Sequence, residues 1–90
     1  MDENAVIKLV TAINVTDLAG EKVMIDFETG KYFMIKGVGN DIWDMIQTPI
    51  TYGEIVKKLR SEYDVTEEEC TASVSSFLKK LKELNFVSID

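Results

Sequence analysis

Ninety residues, 46% of them hydrophobic, fit one small domain with a core of modest size, over residues 1–90. The formal charge is −6 and the pI about 4.6, so the chain lacks the basic footprint that nucleic acid or an anionic membrane requires. There is no histidine and a single cysteine, which removes the usual neutral-pH base, a zinc-type ligand set and any intramolecular disulfide.

In chain order, the N-terminus Met1-Asp2-Glu3-Asn4 is acidic and opens no signal-peptide pattern, and no segment has the apolar length of a membrane span. With a reducing compartment implied by the lone cysteine, a cytoplasmic protein is expected. Asn14-Val15-Thr16 matches a glycosylation sequon, read as coincidence without a secretion signal. Residues 6–15 form a β-rich run with Ile7, Leu9, Ile13 and Val15 on alternate positions and Thr11 on the same face. A turn over residues 17–20 leads to a second strand, residues 21–27. It sets Val23, Ile25 and Phe27 on one face and Lys22, Met24 and Asp26 on the other. Glu28-Thr29-Gly30-Lys31 is a hairpin turn whose glycine can take positive φ. The third strand, residues 31–36, faces Phe33 and Ile35 one way and Tyr32 and Met34 the other. Two successive hairpins make a three-stranded antiparallel meander.

The period then changes. Gly37 and Gly39 end the sheet, and Asn40 or Asp41 is the expected cap of a short helix with Val38, Ile42, Met45 and Ile46 on one stripe. Pro49 stops it. Thr51-x-x-Glu54 is a capping box that opens a second helix with Ile55, Val56 and Leu59 inward. Thr66-x-x-Glu69 opens the longest helix, whose apolar face is Cys70, Val74, Phe77, Leu78, Leu81 and Leu84. Glu67, Glu68 and Glu69 suit its positive end, and Lys79, Lys80 and Lys82 its negative end. Residues 86–89 read as a short terminal strand or a frayed tail. The fold class is α+β, winged-helix-like: a three-stranded antiparallel β-meander followed by three α-helices (βββααα).

The stretch Asp26-Phe27-Glu28-Thr29-Gly30-Lys31-Tyr32-Phe33 resembles the second hairpin of PqqD-like proteins. Ile35-Lys36-Gly37-Val38-Gly39-Asn40-Asp41-Ile42-Trp43 resembles the strand-to-helix segment that follows it. Thr51-x-x-Glu54-Ile55, the acidic start after Tyr63-Asp64-Val65, and Phe77-Leu78-x-x-Leu81-x-x-Leu84 match the remainder in order. The resemblance covers about residues 5–88. Lys36 replaces the usual asparagine after the strand-three aliphatic, and Asn85 the late helix-ending glycine; asparagine also tolerates the left-handed conformation.

The resemblance implies a recognition element for ribosomally synthesised, post-translationally modified peptides. Such a domain is a non-catalytic chaperone that binds a precursor's leader segment and presents it to a modifying enzyme. Members serve a radical S-adenosylmethionine (SAM) enzyme in pyrroloquinoline quinone synthesis, or lasso peptide, sactipeptide and related pathways. The leader adds as a strand beside strand three, over a groove shared with the third helix. Carried onto this chain, the peptide-binding residues are Tyr32, Phe33, Met34, Ile35 and Lys36, with Cys70, Ser73, Val74 and Phe77. The implied partners are the leader peptide and a radical SAM enzyme, leader peptidase or cyclase, with no nucleic acid, membrane, metal or cofactor. A monomer or a strand-exchanged dimer fits an exposed edge with glycine hinges.

Competing readings of the same residues are structural. Phe33, Ile35, Val74, Phe77 and Leu78 suit a core, and Trp43 suits packing. Cys70 has no base near it in sequence, which argues against catalysis. Lys57-Lys58-x-Arg60 and Lys79-Lys80-x-Lys82 read as solvated faces or as a docking surface for an acidic enzyme. Asp41/Asp44 and Glu67/Glu68/Glu69 lack a glycine-punctuated calcium loop, and Gly37-Val38-Gly39 lacks the rest of a phosphate loop. The alternative function is a winged-helix transcription regulator, opposed by net acidity and the absence of an arginine-rich recognition helix, or a protein-docking adaptor that binds no leader.

Overall fold

The computed structural model of the chain describes residues 1–11, 14–18, 21–26, 30–35 and 37–90. Its elements in order are β1 (Val6–Leu9), β2 (Asn14–Leu18), β3 (Glu21–Asp26), β4 (Lys31–Ile35), α1 (Val38–Met45), β5 (Ile50–Thr51), α2 (Tyr52–Glu62), α3 (Glu67–Glu83) and β6 (Val87–Ile89). The architecture is α+β, and the expected meander is β2-β3-β4, antiparallel throughout. A second small sheet, ordered β5-β1-β6, lies outside the βββααα scheme.

The expected single strand over residues 6–15 is two strands in two different sheets. β1 sits centrally, with Ile7 opposite Ile50 on one side and Ile89 on the other. Beyond it Val10 still donates to the Phe86 carbonyl, and the Thr11 hydroxyl donates to the Asn85 carbonyl at 2.7 Å. The chain thus leaves the first sheet where it meets the end of α3. No glycine or proline marks that exit, so the residues alone do not show it. Ile13 of the expected run lies outside the described residues, as does Phe27.

Both capping boxes form at the backbone amide. The hydroxyl of Thr51 accepts from the Glu54 N–H and that of Thr66 from the Glu69 N–H. Helix α1 differs from expectation. Its N-cap is Gly37 at φ 55°, without a side-chain cap bond, rather than Asn40 or Asp41. The positive φ turns the chain into the helix early, and the Asp41 carboxylate instead accepts from the Tyr63 hydroxyl. At the far end of α3, Asn85 takes φ 61°. The Asn85 and Phe86 amides bond back to the Lys82 and Leu81 carbonyls, a Schellman ending that turns the chain into β6.

One core joins the two sheets to the helices. Ile7, Met24, Ile35, Ile42, Ile46, Ile55, Leu59, Val74, Leu78 and Leu81 are almost wholly buried, and Trp43 packs among them. Polar ties set the helices: the Tyr52 hydroxyl bonds to the Thr71 carbonyl and the Ser75 hydroxyl, joining α2 to α3. Lys22 pairs with Asp44 at 2.7 Å, joining β3 to α1.

Candidate functional site: an open strand edge and its groove

Strand β4 pairs with β3 in the register Met24–Phe33 and Val23–Met34. Among the described residues it has no second neighbour. The C-terminal segment, which could have covered it, pairs with β1 in the other sheet as β6. The N–H and C=O groups on the outer side of β4 therefore form an open edge.

Beside that edge lies a groove of about 410 Å³ lined by Met34 and Ile35 of β4, Val38, Gly39 and Ile42 of α1, and Ser73, Phe77 and Lys80 of α3. Residues 73, 77 and 80 recur at helical i+4 and i+3 spacing, so one face of α3 makes the whole wall. The groove is mostly apolar, with a lysine at the C-terminal end of that wall and the Glu67-Glu68-Glu69 turn at the N-terminal end of α3.

The structure brings together Met34, Ile35, Ser73 and Phe77 of the residues expected from sequence. Tyr32 stands 75% exposed on β4. Cys70 and Val74 are in the core beneath, because residues 70, 74, 78 and 81 form the inward stripe and 73, 77 and 80 the adjacent one. Phe33 lies on β4 opposite Met24, and its side chain falls outside the described residues, as does all of Lys36. Val38, Gly39, Ile42 and Lys80 were missed as groove residues. The signal for Lys80 was its i+3 spacing from Phe77, and for Val38 and Ile42 the apolar stripe of α1.

Burial pushes the Cys70 thiol pKa up, opposed by Arg60, and its sulfur lies 3.8 Å from the Val56 carbonyl. A buried thiol held protonated is a poor nucleophile. Among the described residues no three His, Cys, Asp or Glu side chains cluster to hold a metal, and no helix is long and apolar enough to cross a membrane.

The family model described as coenzyme PQQ synthesis protein D (PqqD) matches residues 21–87, from the start of β3 to the first residue of β6. The chain belongs to the PqqD family. No curated protein matches it. Among solved structures, the chain is similar to one described as TbiB1 in complex with the TbiA(beta) leader peptide. That structure has a TM-score of 0.78 and 26% identity, over 90% of this chain and 94% of that one.

Proposed function

We propose that this PqqD-family protein is a single recognition domain that captures the leader segment of a ribosomally made precursor peptide as an added strand on β4. The observation that carries the reading is the open β4 edge beside an apolar groove. Main-chain hydrogen bonds supply affinity that is tolerant of sequence, and the groove supplies selectivity. The leader complex of the similar TbiB1 structure supports the same class of ligand.

In this reading Tyr32, Phe33, Met34, Ile35 and Lys36 form the receiving strand, and Ser73 and Phe77 form the wall. Cys70 and Val74 support that wall from below. Met34 is an adaptable apolar contact, since its unbranched thioether fits several shapes. The protein is not itself an enzyme. It works in the cytoplasm and presents the bound leader to a separate modifying enzyme, a radical SAM enzyme, leader peptidase or cyclase.

The test is a ¹⁵N-HSQC titration with leader peptides encoded beside the gene. Saturable shifts concentrated on β4 and the 73–80 face of α3 are the expected result. A folded sample that shows no shifts with any of them refutes leader capture and favours an adaptor that shares the fold.

A further inference from the structure

Gly39 stands in the first turn of α1, although glycine is a poor helix former. Two different constraints call for glycine in this chain, and they separate cleanly at Gly37 and Gly39. Gly37 has φ 55°, and an added Cβ there would meet nothing within 4 Å, so backbone conformation is what requires it. Gly39 has no positive φ. An added Cβ there would lie 3.0 Å from Ile35 Cγ2 and 3.3 Å from Phe77 Cε1. Tight space, not backbone conformation, is what favours glycine at 39.

Ile35, Gly39 and Phe77 all line the groove. The bare backbone of Gly39 lets the Ile35 side chain and the Phe77 ring close over α1, and their positions set how deep the groove is. We propose that Gly39 is a specificity-determining residue, and that the depth it creates selects strands carrying a bulky apolar side chain at the inward position. The proposal rests on the leader-capture reading. Met34, Ile35, Val38, Ile42 and Phe77 surround that space. A strand with alanine there leaves it unfilled and loses the dispersion contacts of its walls. A side chain grown from position 39 meets Ile35 and Phe77 first and pushes them into the same space from below.

The experiment is a bump-and-hole swap read by fluorescence anisotropy. Wild type, Gly39→Ala and Gly39→Leu are each titrated with the labelled leader peptide encoded beside the gene. Versions of that peptide carry Phe, Leu or Ala at the inward position. Alanine and leucine are good helix formers, which favours α1, and circular dichroism checks that the helix is kept. Wild type is expected to prefer Phe or Leu over Ala by about tenfold or more, the scale of a single methylene in an apolar pocket. Gly39→Ala should weaken the Phe peptide several-fold. Gly39→Leu should weaken it by about tenfold or more, the scale of an overpacked contact, while leaving the Ala peptide nearly unchanged.

A folded Gly39→Leu variant that keeps the wild-type preference overturns the role of Gly39 and leaves leader capture standing. Should Gly39→Leu fail to fold, Phe77→Leu enlarges the same space from the opposite wall. It should shift preference toward the largest side chain, and an unshifted preference overturns the proposal. A wild type that binds none of the peptides overturns leader capture itself, and the role of Gly39 with it.

Discussion

Tyr63, just past the end of α2, donates its hydroxyl to the Asp41 carboxylate of α1. That hydrogen bond raises the phenol pKa above the ordinary tyrosine value, with burial and the negative charges of Asp41 and Glu62 adding to it. The tie requires a protonated phenol. Its contribution is present below the unfolded tyrosine pKa of about 10 and is lost as pH rises through the higher folded value. Asp41→Asn should bring the Tyr63 titration down toward the ordinary range, as an ultraviolet difference titration would read; an unchanged curve rules out the tie. Sequence suggested Asp41 as a helix cap, since aspartate commonly serves there. Its actual partner lies 22 positions away, and no local rule finds such a pair.

At the scale of elements, local chemistry was largely legible. Thr51 and Thr66 cap their helices, Gly30 takes φ 71° in the hairpin, and Asn85 ends α3 in the left-handed conformation. Each depends on one side chain and its near neighbours. The split of residues 6–15 was not legible, because both halves carry strand-like alternation and only the distant Asn85 and Phe86 carbonyls mark the exit. The edge strand itself makes a sharp test. In an antiparallel pair, successive amides of β4 point alternately to β3 and to the open side. Of Phe33→Pro and Met34→Pro, one therefore removes a ladder donor and destabilises the β3–β4 pair. The other removes an edge donor, keeps the fold, and should weaken leader binding by about tenfold, the worth of one main-chain bond. Isothermal titration and HSQC spectra of the pair check this, and two folded variants with unchanged affinity refute strand addition.

For the whole molecule, the decisive arrangement is where the C-terminal strand goes. Phe86 and Val87 are buried, β6 pairs with β1, and Val6 and Asp90 exchange backbone hydrogen bonds. The tail therefore closes the first sheet and leaves β4 open. Removing residues 86–90 should cost about 3 kcal/mol or more from the lost apolar burial of two large side chains. Urea denaturation measures it, and an unchanged midpoint means the tail is not part of the core. Joined to the core, the first sheet packs against α3 through β6, and among the described residues it contributes none to the groove's lining.

The order of amino acids by itself determined the α+β class, the meander, the three helices, the caps of α2 and α3 and the family, because period, turn residues and capping side chains are local features. The family resemblance it carries also pointed to β4 and the third helix as the candidate site. Tertiary structure alone decided which stripe of α3 faces the groove, that Cys70 and Val74 lie beneath it, and that Val38, Gly39, Ile42 and Lys80 join it. Adjacent stripes on a helix differ by about 100° of rotation, so the choice between them depends on how α3 is seated against α2 and β6. The open edge was likewise settled only when β6 found its partner in β1, a contact between opposite ends of the chain.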